Sequence, residues 1–118
     1  MKNAEEILIN YLKNALVDVD VLAEQENKRR QNSERFVIVE GLGGKYDDYT
    51  EVQDVAFTCY AHAKTKYEAS CLAYKILDVS RGIADNQEEV CSASFGLPQD
   101  CSDKQYKYKI NINLKIKE

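Results

Sequence analysis

The most regular pattern in the chain lies near its end. Tyr106, Tyr108, Ile110, Ile112, Leu114 and Ile116 alternate there with Lys107, Lys109, Asn111, Asn113, Lys115 and Lys117. A period of two held over that length predicts a long β-strand with one face on a core and one in water. The opening stretch has a different period. Ile7, Leu8, Tyr11, Leu12, Ala15 and Leu16 recur at helical spacing, and Asn3 with Glu6 forms a capping-box-like pair at the start. After Leu16 the period shortens to two, since Val17, Val19 and Val21 alternate with Asp18 and Asp20, predicting a short strand.

Residues 24–34 carry no apolar side chain, so a mobile loop or hairpin tip is expected there. Phe36 to Glu40 reads as a second strand. Gly41-Leu42-Gly43-Gly44 and Lys45-Tyr46-Asp47-Asp48-Tyr49 read as a second loop. Thr50 to Ala61 is a longer strand with Val55, Phe57, Cys59 and Ala61 on one face, and Asp54, Ala56, Thr58 and Tyr60 on the other. Thr65-Lys66-Tyr67-Glu68 is a capping box opening a second helix. Its stripe is Ala69, Leu72, Ala73, Ile76 and Leu77, continued by Ser80 and Ile83, with Gly82 as a stop. Val90 to Leu97 reads as a strand ended by Pro98, and a turn runs to Asp103. The order α-β-β-β-α-β-β, with one apolar face on each element, predicts an α+β fold in which two helices pack on a mostly antiparallel sheet. A single domain over residues 1–118 suffices for this pattern.

Composition narrows the functional classes. No apolar run approaches the ~20 residues that span a bilayer. The first residues turn acidic where a signal peptide needs its hydrophobic region, so a cytoplasmic, non-membrane protein is expected. The net charge of −4 and pI near 5.1 argue against a general nucleic-acid binder. They leave two local basic stretches, Lys28-Arg29-Arg30 and the lysine face of the last strand. Cys59, Cys71, Cys91 and Cys101 form no CxxC pair, and His62 is the only histidine, which points to free, buried thiols rather than a zinc site.

Each candidate chemistry has a bland counterpart. Cys59 and His62 are three apart, an odd spacing that puts them on opposite faces of a strand, so no Cys-His dyad forms and His62 reads as a surface or capping residue. Gly41-Leu42-Gly43-Gly44-Lys45 lacks the phosphate-loop spacing, and Tyr46 stands where a magnesium-binding Ser or Thr belongs. Asp47 and Asp48, with Glu51 beyond, read as solvated loop acids. No catalytic residue, metal or cofactor is expected. The lysine face either guards the sheet against aggregation or meets an acidic neighbour or nucleic acid. Among the eight tyrosines, Tyr106 and Tyr108 are expected half-buried, whereas Tyr46 and Tyr49 fit an interface.

Taken together, these segments resemble the tail terminator (tail completion) proteins of long-tailed bacteriophages and prophages, the lambda-type family. The resemblance covers nearly the whole chain. It rests on the first helix leading into Val17–Val21, on Phe36-Val37-Ile38-Val39-Glu40, and on the Thr50–Ala61 strand running into Lys64-Thr65-Lys66-Tyr67-Glu68-Ala69. The alternating Tyr106–Leu114 strand completes it. It implies a structural protein that is a monomer or weak oligomer when free. Such proteins form a hexameric ring on the last ring of the tail tube, stop its polymerisation and present a surface to the head-completion protein, with DNA passing through later. It implies residence in the host cytoplasm during assembly and then in the virion tail. With the resemblance, the two polar segments become candidate assembly contacts, with Arg29, Arg30, Tyr46, Asp47 and Tyr49 as the side chains to test. The alternatives are another neck protein, a stopper or adaptor, and a small nucleic-acid-binding domain using the lysine face.

Overall fold

The computed structural model describes residues 2–23 and 35–117. The elements run α1 (Ala4–Ala15), β1 (Asp20–Ala23), β2 (Phe36–Asp47), β3 (Val52–Ala63), α2 (Lys66–Ser80), α3 (Ile83–Asn86), β4 (Val90–Phe95), β5 (Gln99–Asp100) and β6 (Tyr106–Lys117). The sheet order is β1-β2-β3-β6-β4, with β5 also paired to β6. The fold is α+β, and all the pairings are antiparallel except β1 with β2.

Both helix starts are capped by the expected side chain, without the glutamate's return bond to the cap amide. The Asn3 side chain accepts from the Glu6 amide at 3.1 Å, and the Thr65 hydroxyl accepts from the Glu68 amide at 3.1 Å. Each satisfies a donor that has no partner within its helix. Leu8 and Leu12 of α1 and Leu72, Ala73 and Ile76 of α2 then bury against one face of the sheet. That face presents Val37 and Val39 from β2, Phe57, Cys59 and Ala61 from β3, and Ile110, Ile112, Leu114 and Ile116 from β6. Alternation in β6 carries the opposite set, Lys109, Asn111, Asn113 and Lys115, to the outer face.

Several expectations are corrected. Val17 to Val21 is not one strand: the chain turns after Leu16, the Val19 amide donates to the Leu16 carbonyl, and β1 begins only at Asp20. Val17 is therefore 82% exposed although it shares parity with buried Val19 and Val21. β1 runs parallel to β2, with Asp20 opposite Phe36 and Ala23 opposite Val39, so these two strands are not hairpin partners; residues 24–34, expected as a mobile loop or hairpin tip, lie outside the described residues. The loop expected at 41–50 is mostly strand, since β2 continues through a bulge at Leu42 to Asp47, leaving only a turn before Val52. The second helix divides at Gly82, and buried Ile83 starts the separate turn α3. Of the four free cysteines only Cys59 is buried; Cys71 and Cys91 are exposed and Cys101 is intermediate.

Candidate functional site

The distal end of the β2–β3 hairpin holds the sequence candidates that the structure describes. Glycine builds its first part. Gly43 adopts φ 87°, a left-handed conformation that follows the Leu42 bulge. At Gly44 a Cβ would stand 2.0 Å from the Asp54 carbonyl oxygen and 2.8 Å from the Val55 Cα, so only glycine lets the two backbones approach this closely. The strands are then tied to the body. Gln53, opposite Tyr46, donates from its side-chain amide to the Lys2 carbonyl at 2.7 Å, at the start of α1.

The turn is organised by Asp47. Its carboxylate accepts from the Tyr49 amide at 2.9 Å and the Thr50 amide at 3.4 Å, and its carbonyl accepts from the Glu51 amide at 2.8 Å. These bonds satisfy the backbone of a turn that has no apolar support. Glu51 closes the turn at φ 57°. Tyr49 is thrust outward at the tip, 98% exposed. Tyr46 is half-buried on the helix-bearing face beside Gln53, while Lys45 and Asp47 point to the outer face. The structure thus places Tyr46, Asp47 and Tyr49 at the same end of the β2–β3 hairpin, with Tyr46 and Asp47 on opposite faces. Arg29 and Arg30 lie outside the described residues.

The outer face of the sheet carries the second candidate surface. Lys107, Lys109 and Lys115 line it, with Lys115 opposite Asp54 and Lys109 opposite Tyr60. The Lys107 ammonium lies 3.4 Å from the Asp103 carboxylate and 5.7 Å from the Tyr60 ring centre. Beside them the Thr58 hydroxyl donates to the Asn111 side-chain oxygen at 2.9 Å. At the sheet's far end Lys66 and Asp100 pair at 3.0 Å. The Asp100 carboxyl is pulled down to about 2, first by the Ser102 backbone amide and then by the Ser102 hydroxyl and Lys66.

The remaining sequence candidates separate. Cys59 faces the core, where burial pushes its thiol up to about 12, so it is held as the neutral thiol. His62 faces the other way and stacks flat on Phe36, with ring centres 4.4 Å apart and planes within 8°; it is neither a capping residue nor a fully exposed one. Gly41 to Lys45 lies within β2, where its backbone pairs with β3 rather than opening a helix. Among the described residues no group of three or more His, Cys, Asp or Glu side chains converges, and no helix is long and apolar enough to cross a membrane. Sequence reasoning missed Gly44 and Glu51, because a close backbone approach and a φ value leave no mark in hydropathy. Comparison with known protein families and with curated proteins found no match to this chain.

Proposed function

We infer that this chain is a structural assembly subunit of the tail-terminator kind. In this reading copies of it form a ring on the end of a phage or prophage tail tube, end polymerisation and offer the surface to which the head-completion protein joins. It acts in the host cytoplasm during assembly and then resides in the virion tail. The observation that carries the reading is the distal end of the β2–β3 hairpin, where Tyr46, Asp47 and Tyr49 lie at a hydrogen-bonded turn that Gln53 ties to the start of α1. The element order and the long alternating β6 support it as well, since they are the segments on which the resemblance rests.

The hairpin changes the physical picture of the contact. A loop that orders on meeting the tube gives up binding free energy to its own ordering, whereas a hydrogen-bonded turn is already in place. Exposed tyrosine supplies contact area with few rotatable bonds, the kind of anchor that dominates interfaces. The test is complementation of a phage or prophage lacking this gene with alanine variants at Tyr46, Asp47 and Tyr49, and at Arg29 and Arg30. Overlong tails are the expected defect. Normal tails left unattached to heads would assign the chain to a stopper or adaptor instead, and unaltered particles would remove these residues from assembly.

One observation favours a second reading. Lys107, Lys109 and Lys115 share the outer face with Tyr60, a combination that suits a phosphate backbone and a stacked base. That reading requires DNA affinity that weakens steeply with added salt.

A further inference from the structure

The solvent side of α2 departs from the charged surface expected of a helix packed on a sheet. Opposite its buried stripe, Tyr67, Cys71 and Tyr74 follow one another at helical spacing, all exposed, Tyr67 to 78% and Tyr74 to 49%. Glu68 and Lys75 flank them and are exposed as well. Among the described residues neither of these two charges has an ion-pair partner. We propose that two copies of this chain meet through this face, their α2 helices antiparallel about a two-fold axis at Cys71.

The face is complementary to itself. Measured around the helix from Cys71, Tyr67 and Tyr74 lie about 40° and 60° to one side, and Glu68 and Lys75 about 60° and 40° to the other. Along the helix each pair straddles Cys71, with Glu68 about 4.5 Å before it and Lys75 about 6 Å after it. A two-fold axis set across the helices reverses the direction along them and keeps the side. Glu68 of each copy therefore meets Lys75 of the other on one flank, and Tyr67 meets Tyr74 on the other. The charges are matched twice, and the exposed rings cover each other. An axis about a turn earlier or later, at Glu68 or at Lys75, would oppose like charges. Helices packed through side chains as large as tyrosine stand about 10 Å apart, and each Cα lies about 2.3 Å from its own helix axis. The two Cys71 Cα atoms are then about 5 Å apart, inside the span of a disulfide. One helix pair buries less than a standard interface, so the dimer is weak and depends on concentration.

This goes beyond the ring reading and concerns the free protein. Sedimentation velocity on the purified, reduced full chain over a concentration series should show a reversible monomer–dimer equilibrium. Lys75→Glu opposes carboxylates in both charged pairs and should weaken dimerisation about tenfold. Combining it with Glu68→Lys exchanges the two charges, and the double variant should dimerise like wild type. Because the Glu68 carboxylate also favours the first turn of α2, circular dichroism checks the double variant, and Lys75→Glu alone carries the test if that fold is disturbed. The thiol oxidant diamide should then link the wild-type dimer through Cys71, with the linked species lost in Cys71→Ser and kept in Cys91→Ser. A wild-type chain that stays monomeric and unlinked, or a Lys75→Glu chain that dimerises like wild type, would overturn the proposal. So would linkage through Cys91 as readily as through Cys71, since both thiols are exposed and random collision would use either. A chain that ended tails normally yet stayed monomeric would sink the dimer and leave the assembly reading intact.

Discussion

Glu51 holds a backbone conformation that side-chain-bearing residues avoid, φ 57°, at the closing position of the hairpin turn. Keeping an L-residue there costs about 1–2 kcal/mol through crowding of Cβ against the following carbonyl. Glycine removes that cost but returns about 0.5–1 kcal/mol through its greater freedom when unfolded. Glu51→Gly is therefore expected to stabilise the fold by about 0.5–1 kcal/mol. At about 2.1 cal/mol/K of unfolding entropy per residue, a chain of 118 residues gains roughly 2–4 °C in Tm. Removing a carboxylate near Asp47 and Asp48 also relieves repulsion, so Glu51→Ala is the control: it removes the charge and keeps the Cβ. Thermal and urea unfolding of the three proteins decide the matter. If the glycine variant is no more stable than the alanine variant, the strain assigned to this turn is not there.

The other expectations are briefer. Gly44→Ala forces Cβ into the Asp54 carbonyl and should cost about 2 kcal/mol or more in urea unfolding, with amide exchange rising first in the distal hairpin. Ser80 is fully buried, and its hydroxyl has no hydrogen-bond partner among the described residues, so Ser80→Ala should stabilise by about 1 kcal/mol in the same assay. The Cys59 thiol ionises near 9.0 when exposed and at about 12 when buried. The unfolded chain therefore loses its proton first, and stability that is intact below 9 is lost as pH rises towards 12. The loss reaches about 1.4 kcal/mol at pH 10 and is absent from Cys59→Ala. A thiol reagent should label Cys71 and Cys91 in the native protein and reach Cys59 only on unfolding.

The core was legible because it obeys one period per element. The face of β6 that packs inward is the alternating set Ile110, Ile112, Leu114 and Ile116, and both helix starts follow from their capping residues. The hairpin was not legible for the opposite reason. From Gly41 to Asp47 nearly every β2 side chain is exposed, so no hydrophobic period exists to mark a strand that is held by backbone pairing. Val17 misled because parity along the sequence means nothing across a turn. The parallel pairing of β1 with β2 also leaves no local trace, since the apolar run Val37 to Val39 reads the same in either direction. The cysteines misled in part: burial follows position in the fold, and only Cys59 sits on a strand face that meets the helices.

The departures from local rules are not spread evenly. A glutamate in the left-handed region, a tyrosine at full exposure and a glycine whose Cβ would strike backbone all belong to the end of one hairpin. On the proposed assembly reading, strain and exposure at the tip are what a contact maintained for something other than stability would show. Two variants separate the shape of the tip from its side chains. Glu51→Gly keeps the turn and relaxes it, whereas Tyr49→Ala keeps the backbone and removes the exposed ring. If the ring makes the contact, Tyr49→Ala should abolish tail termination in complementation at unchanged Tm, while Glu51→Gly raises Tm and leaves termination intact. If instead Glu51→Gly alone impairs assembly, the strained turn itself is what the partner reads. Normal termination by both variants would show that assembly does not use the tip.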